Sequence, residues 1–544
     1  MLGLPTGGSF DLNATQTAQN GYYAIFFHDD FRLRTNLTLN LGIRYERDLP
    51  TTERFNRSVS GFDFNSPSQI SAQAAAAYAR NPIPELAPNQ FKTNGGLLFA
   101  GPGNRDLYET KARYFSPRFG FAWKPQLWGG KTVVRGGTGV FIFPIGMTPN
   151  GLTGVIQTGF SQSTQVVPTL NSYLTPAATL SNPFPNGIEQ PTGSTLGLAT
   201  FLGRAISFNV QEPANAYSVR WNLDLQRQLP GNTVLEAGYI GNHSVHLRVD
   251  SQLDFVARQY LSTSPVRDQT VIDRLTANVV NPLAGLLPGT NLNGSTIQRQ
   301  LLLDPFPHLS GVTALGNYDG SSHFHMLQVR VEKRFSHGFQ FLGNYLYSKL
   351  IEKRSRLNNS DPYLEKRIAD EDRPQRLVVS ASWELPFGKR KPFGSALHPV
   401  WQKVIGGWTV NTIYTTQPGQ PLSWGNVIYY GGDLRLDPRR IDGAFDTTRF
   451  NTNSQQQLAS NVRTFPTRFA NLRADGANNI DFSVIKETQI REKLRLQYRC
   501  EFFNFFNHPS FNAPELSPTN SNFGRITSQA NLPRSTQMAL RLVW

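Results

Sequence analysis

The sequence predicts an all-β chain, its strands laid side by side as an antiparallel transmembrane β-barrel. Three observations carry that expectation. Apolar and polar residues alternate with a period of two in many separate stretches, which places each set on one face of a strand. The links between paired stretches are by turns short and long, as in barrels with tight turns at one rim and large loops at the other. The chain also closes on a strand, with Met538, Leu540, Leu542 and Trp544 alternating with Gln537, Ala539, Arg541 and Val543. A closing strand with lipid on one side and lumen on the other has that pattern.

Composition narrows the class. The 544 residues suffice for one large barrel or several soluble domains. Aromatics reach 12% and hydrophobics 39%, which argues against disorder. Mean hydropathy is −0.36, and no apolar run approaches the ~18–20 residues of a spanning helix. Cys500 is the only cysteine, so neither an intrachain disulfide nor a CxxC site is possible. The formal net charge of +15 is scattered over strands and turns, not gathered in one run, so no nucleic-acid partner is expected. The start, Met1-Leu-Gly-Leu, has no basic n-region, apolar h-region or cleavage signal. A barrel needs an export signal, so the natural N-terminus is expected elsewhere.

Residues 1–20 read as a lead-in. The first hairpin sets Tyr23, Ile25, Phe27 and Phe31 against Tyr22, Ala24, His28 and Asp30, and turns at 33–36. It returns on Leu37, Leu39, Leu41, Ile43 and Tyr45, opposed by Thr38, Asn40, Gly42, Arg44 and Glu46. A long polar link, 47–110, follows; its Ala-rich 71–80 predicts a short surface helix. The second hairpin has Phe115, Phe119, Phe121 and Trp123, a turn at Gly129-Gly130, and Val134, Thr138, Val140 and Ile142. A second long link covers 144–213. Tyr217, Val219, Trp221, Leu223 and Leu225 lead into the turn 230–232 and return through Leu235, Ala237 and Tyr239. A third long link reaches 321. The fourth hairpin carries Leu327, Val329 and Val331, turns at 336–338, and returns on Phe339, Phe341, Tyr345 and Tyr347. After the charged loop 351–372 come Leu377, Val379, Ala381, Trp383 and Leu385, then a link through Pro386-Phe-Gly-Lys to Trp408, Val410, Thr412 and Tyr414. The last strands are 480–488, 494–503 and 535–544. Even turn spacing, as in a sandwich or propeller, is absent.

Several phrases resemble one family. They are Arg495-Leu-Gln-Tyr-Arg-Cys-Glu-Phe-Phe-Asn-Phe-Phe-Asn-His-Pro-Ser-Phe511, Phe523-Gly-Arg-Ile-Thr and the closing Pro533-to-Trp544 run. Tyr22-Tyr-Ala-Ile-Phe-Phe-His-Asp-Asp-Phe31, Phe115-Ser-Pro-Arg-Phe-Gly-Phe-Ala-Trp123, Asp372-Arg-Pro-Gln-Arg-Leu-Val-Val-Ser380 and Gly407-Trp-Thr-Val-Asn-Thr-Ile-Tyr-Thr-Thr416 follow in the same order. Together they are similar to TonB-dependent outer-membrane receptors of the Oar-like type, over the chain from about Gly21. The resemblance implies outer-membrane lipid as surroundings and uptake of an extracellular ligand driven through TonB. It also implies an N-terminal extension, TonB box and plug domain, none visible here. The chain is therefore expected to be the C-terminal portion of the barrel, residues 21–544.

Strand direction sharpens that expectation. The chain shows about thirteen strands, an odd number, whereas single-chain bacterial barrels have even numbers. In a parent barrel of about 22 strands, about nine lie upstream. The chain alone then forms an open partial barrel with 21–32 and 535–544 as its edges. Tyr23, Ile25, Leu39, Leu41, Trp221, Leu223, Val379, Trp383, Leu496 and Leu540 should face lipid, and Arg44, Arg220, Arg376 and Arg499 the lumen. Links 47–110, 144–213 and 250–321 should leave one rim, and turns 33–36, 129–131, 230–232 and 336–338 the other.

No residue stands out as catalytic, metal-binding or cofactor-binding, and no cofactor is expected. Arg118, Arg330, Arg495 and Arg541 share the polar face with Asp224, Glu236, Glu332, Glu384, Asp481 and Glu501; they read as paired cross-strand ladders before they read as a field for an anionic solute. His323 with His325, and His243 with His246, lack an acidic third ligand nearby. Asp361, Glu365, Asp370, Glu371 and Asp372 are interleaved with Lys366, Arg367 and Arg373, as on a solvated loop. Gly129-Gly-Lys-Thr132 joins two strands and is a hairpin turn, not a phosphate loop. Cys500 follows the lipid-facing alternation. Tyr318, Tyr363, Tyr429 and Tyr430 are loop aromatics without an assigned role. Two further function classes fit less well: a surface binding or adhesion barrel without transport, and a soluble β-enzyme, for which no catalytic constellation is present.

Overall fold

Thirteen strands follow one another in chain order across a single antiparallel sheet. The computed structural model describes residues 3–110, 114–146, 155–169, 175–438, 440–491 and 494–544. The expectations about Met1 and about parts of the second long link lie outside the described residues. The strands are β1 (Tyr22–Arg34), β2 (Leu37–Asp48), β3 (Tyr114–Trp123), β4 (Thr132–Phe143), β5 (Ala216–Leu229), β6 (Thr233–Gln252) and β7 (Val312–Ser336). They continue as β8 (Phe339–Lys353), β9 (Gln375–Glu384), β10 (Trp408–Gln417), β11 (Ala477–Gln489), β12 (Arg495–Phe503) and β13 (Ser535–Val543). Two short strands, Ile206–Asn209 on β7 and Arg367–Ile368 on β8, bring the sheet to 15.

The sheet ends on β1 and β13, each with one neighbour among the described residues. The sheet is open, with the two edges that the strand count and direction implied. Short turns suit tight hairpins: His337 and Gly338 both have positive φ, 52° and 77°, as the favoured two-residue turn requires.

Register settles the faces. One row runs Phe31, Leu39, Phe121, Gly136, Leu223, Tyr239, Leu327, Tyr347 across eight strands. The ten residues expected to face lipid all lie on this face, and Ile25, Leu223, Trp383 and Leu540 are exposed there. Such a continuous exposed apolar face is a lipid surface, since water does not tolerate one of this size. Two glycines on it are covered by aromatics from the next strand. A Cβ on Gly241 would meet Trp221 at 2.1 Å, and one on Gly136 would meet Phe121 at 2.6 Å. Arg44, Arg118, Arg220, Arg376 and Arg499 take the opposite face.

Two expectations need correction, the surface helix and the cross-strand charge ladders, and several links hold more structure than the sequence marks. The long links are folded, not loose. Residues 59–67 and 94–99 form a hairpin, and α1 (Ser71–Tyr78) is no surface helix, for Ala74 and Tyr78 are fully buried. Alanine lets the backbone approach closely, and the helix packs on Leu275 of α2 (Gln269–Thr276) and on Leu283 and Leu302, all from the third long link. The lead-in is not free either: Ser9–Leu12 pairs with Gln162–Gln165. The link 385–407 sits at the short-turn rim but contains α3 (Pro399–Ile405). The lumen charges pair mainly along strands, not across them: Arg44 meets Glu46 at 3.3 Å and Arg330 meets Glu332 at 2.8 Å. Residues two apart on a strand share a face, so the nearest carboxylate is on the same strand.

Candidate binding crown and lumen wall

The long links all leave one rim of the meander and pack into a crown above it. Links 49–113, 144–215 and 253–311 share a core around Val59, Phe62, Leu97, Phe208, Phe306 and Val312. Links 418–476 and 504–534 share another, around Trp424, Phe445, Phe450, Phe465 and Ile526. Backbone bonds join the two groups: Ser262 N–H donates to the Ser460 carbonyl at 2.9 Å, and Val462 N–H to that of Ser262 at 2.8 Å.

Carboxylates at the strand tops hold the crown down. Asp48, 2% exposed, ends β2 and accepts from Ile145 N–H at 2.6 Å and from Asn215 Nδ2 at 3.0 Å. Glu53 is fully buried and accepts from the backbone of Thr17, Phe55 and Arg57. A carboxylate with several N–H donors is well satisfied in a dry site.

The acidic cluster read as a solvated loop is instead half of an ion network. Arg468 lies between Glu352 and Asp370, Arg473 faces Asp372, and Arg258 meets Asp361 at 2.8 Å. Glu365 accepts from the backbone and hydroxyl of Thr467. The pairing partners come from links about a hundred residues away, which interleaved charges in sequence could not reveal.

Below the crown, the polar face carries a basic and aromatic wall. Phe141 lies between two guanidiniums, Arg118 at 4.7 Å and Arg220 at 5.0 Å from its ring centre. Tyr22 bonds to both Glu46 and Arg44. Parity along β4 puts Phe141 opposite Val140 and Ile142, so its place was readable, although the alternation singled out only the apolar set. This wall can bind a solute carrying anionic or flat apolar groups through cation–π and ion-pair contacts.

The histidines regroup. His243 and His323 stack across β6 and β7 with centroids 3.9 Å apart, and His325 Nδ1 bonds to Tyr239 OH at 2.7 Å. All three lie on the lipid-type face, above Tyr239. His246 stands at a strand irregularity and packs edge-on to Tyr217. Cys500 is covered between Val484 and Met538 on the same face. Tyr429 joins the core of the later links, whereas Tyr363 and Tyr430 are exposed. Gly129 and Gly130 close a single 3₁₀ turn before β4, as a hairpin requires.

Three ionisable groups of the crown, the buried His308 and the half-buried Asp254 and Asp304, carry no mark in the sequence. Burial pushes the Asp254 carboxyl up to about 6; burial, then the charge of Asp254, pushes Asp304 up to about 7. His308, fully buried, donates from Nε2 to the Gly95 carbonyl at 3.2 Å, and burial lowers it to about 4. Their burial comes from contacts between distant links, so no local pattern marks them.

The profile of a protein family described as "Outer membrane beta barrel domain" matches residues 1–537. A search among curated sequences finds no match. Solved structures similar to the chain include the outer membrane transporter YddB from Escherichia coli, 10% identical, covering 97% of this chain and 54% of that one, TM-score 0.40. The ferric-catecholate import receptor Fiu from E. coli is 10% identical, with 97% and 45% covered and TM-score 0.40. The ferripyoverdine receptor of Pseudomonas aeruginosa is 10% identical, with 96% and 39% covered and TM-score 0.38. The chain spans about half or less of the length of each.

Proposed function

Because the chain belongs to the outer membrane beta barrel domain family, we propose that it is the larger, C-terminal part of a TonB-dependent receptor barrel that takes up a ligand across the outer membrane. The observation that carries the reading is the crown: the long links at one mouth fold on shared apolar cores above a polar, arginine-bearing wall. A barrel that only displayed epitopes would not need a charged, aromatic inner wall. The phrases resembling the Oar-like receptors support the same reading.

The two sheet edges fit it as well. Among the described residues, β1 and β13 each leave one edge of backbone N–H and C=O groups without a strand neighbour, a costly state in hydrocarbon. Further strands, completing a barrel of about 22, would satisfy them. A plug and a TonB box would belong to that further sequence. The crown would capture the ligand first, and the wall around Phe141 would meet it on the way through.

In-cell crosslinking of the full-length product to TonB tests the proposal, with ligand uptake measured in cells with and without TonB. The reading expects TonB adducts and uptake that stops without TonB. Surface binding that persists unchanged, with no adduct and no uptake, would favour an adhesion barrel instead.

A further inference from the structure

Of the six links at the short-turn rim, five are tight and one, 385–407, is long. Its helix α3 starts with Pro399, and His398 accepts from Val400 N–H through its side chain at 3.4 Å. Val400, Trp401 and Val404, at i, i+1 and i+4, share one side of the helix, and Leu397 lies just before its N-cap. None of the four is covered: they are 45%, 60%, 60% and 50% exposed.

The helix is tied to the lipid-type face, not to the lumen. Trp408 and Lys486 are cross-strand partners on that face, at its lower end. Trp408 Nε1 donates to the Val404 carbonyl at 3.0 Å, and Lys486 Nζ donates to the carbonyls of Lys403 at 2.7 Å and Gly406 at 2.5 Å. The apolar stripe thus continues the lipid belt past the strand ends. Lys389, Arg390 and Lys391 lie in the same link, and only Lys391 has a carboxylate partner among the described residues, Glu384 at 3.0 Å.

We infer that α3 lies in the headgroup layer of the leaflet on the short-turn side. Its stripe enters the acyl boundary, and Lys389 and Arg390 meet the phosphates of anionic phospholipid. A tryptophan-bearing amphipathic helix with basic flanks suits that layer, where one side is apolar and the other wet. The occupant of the stripe is lipid because the stripe is continuous with a surface already covered by lipid. The inference rests on the outer-membrane assignment, not on TonB-driven uptake.

The test uses the protein in vesicles of zwitterionic phospholipid, with and without anionic phospholipid. Cys500→Ser is the background, with a fluorophore on single cysteines Val400→Cys, Val404→Cys, Val379→Cys and Tyr363→Cys. Shallow spin-labelled lipid should quench positions 400 and 404 about threefold more than deep spin-labelled lipid does. Val379, within the belt, should show the reverse, and Tyr363 neither. Quenching of 400 and 404 by aqueous iodide to the level of Tyr363 would overturn the inference. So would protection from iodide and both spin labels, which would mean that protein covers the stripe. The double variant Lys389→Gln/Arg390→Gln leaves the helix and its ties in place. It should reduce shallow quenching at 400 about twofold in anionic vesicles only. An unchanged signal there would overturn the role of the basic pair.

Discussion

Arg468, on the link between β10 and β11, is held 3.0 Å from Glu352 at the top of β8, with both side chains under 10% exposed. The same guanidinium reaches Asp370 and the Ile368 carbonyl, while Arg367 meets the same Glu352 oxygen, Oε1, at 2.9 Å. One arginine therefore fastens a crown link to a strand of the sheet. Removing one member of a buried pair leaves an uncompensated charge and costs about 3–5 kcal/mol. Arg468→Ala should loosen residues 418–476, read as faster amide exchange and earlier protease nicking there, with the sheet unchanged. Unaltered exchange in that link would show that the apolar core alone holds it.

Leu223 tests the lipid face. Leu223→Arg should cost about 2–4 kcal/mol of stability in a bilayer, because the guanidinium would face hydrocarbon near mid-strand. Asn222→Arg, one residue on and facing the lumen, should cost far less. Denaturant titration of both variants in the same lipid gives the comparison, and equal losses would contradict the assignment of faces.

The faces were legible because a period of two survives any tertiary context. Parity alone placed Leu39, Trp221, Val379 and Leu540 on one side and Arg44, Arg220 and Arg499 on the other. The strand number was legible for the same reason. The crown was not. Tyr78 meets Leu275, and Arg468 meets Glu352, through packing between links far apart in sequence, and nothing in the local pattern of 71–80 or 361–372 encodes the partner. The helix α3 was hidden by its length: seven residues in a link read only as a connection.

Gly241 is required by its neighbour. The Trp221 indole lies where a Cβ would stand, 2.1 Å from it, so Gly241→Val should cost about 1–3 kcal/mol by overpacking. Trp221→Ala should be less sensitive to the same change. A double-mutant cycle measures the difference, and additive losses would show that the ring moves aside freely.

Crown stability should depend on pH through Asp254, Asp304 and His308. The raised carboxyls keep their protons in the folded protein while the unfolded chain loses them, so stability falls as pH rises from about 4 to about 7. His308 acts oppositely. It stays neutral when folded while the unfolded chain takes up a proton, so on its account stability rises between about pH 4 and 6.5. Of these three groups, Asp304 contributes most of the slope above pH 6.5. Asp304→Asn should therefore flatten the loss between pH 6 and 7.5, measured by amide exchange across 253–311. An unchanged slope would remove Asp304 from the account.

An outer-membrane barrel of this topology places its folded crown on the cell surface, and cysteine accessibility in intact cells decides whether it lies there. On a Cys500→Ser background, a membrane-impermeant maleimide should label Tyr363→Cys and Tyr430→Cys, whose parent residues are 83% and 59% exposed, without permeabilisation. Gln228→Cys and Ser336→Cys, at the short-turn rim, should react only once the outer membrane is opened. Labelling of all four in intact cells, or of the short-turn pair alone, would contradict that placement.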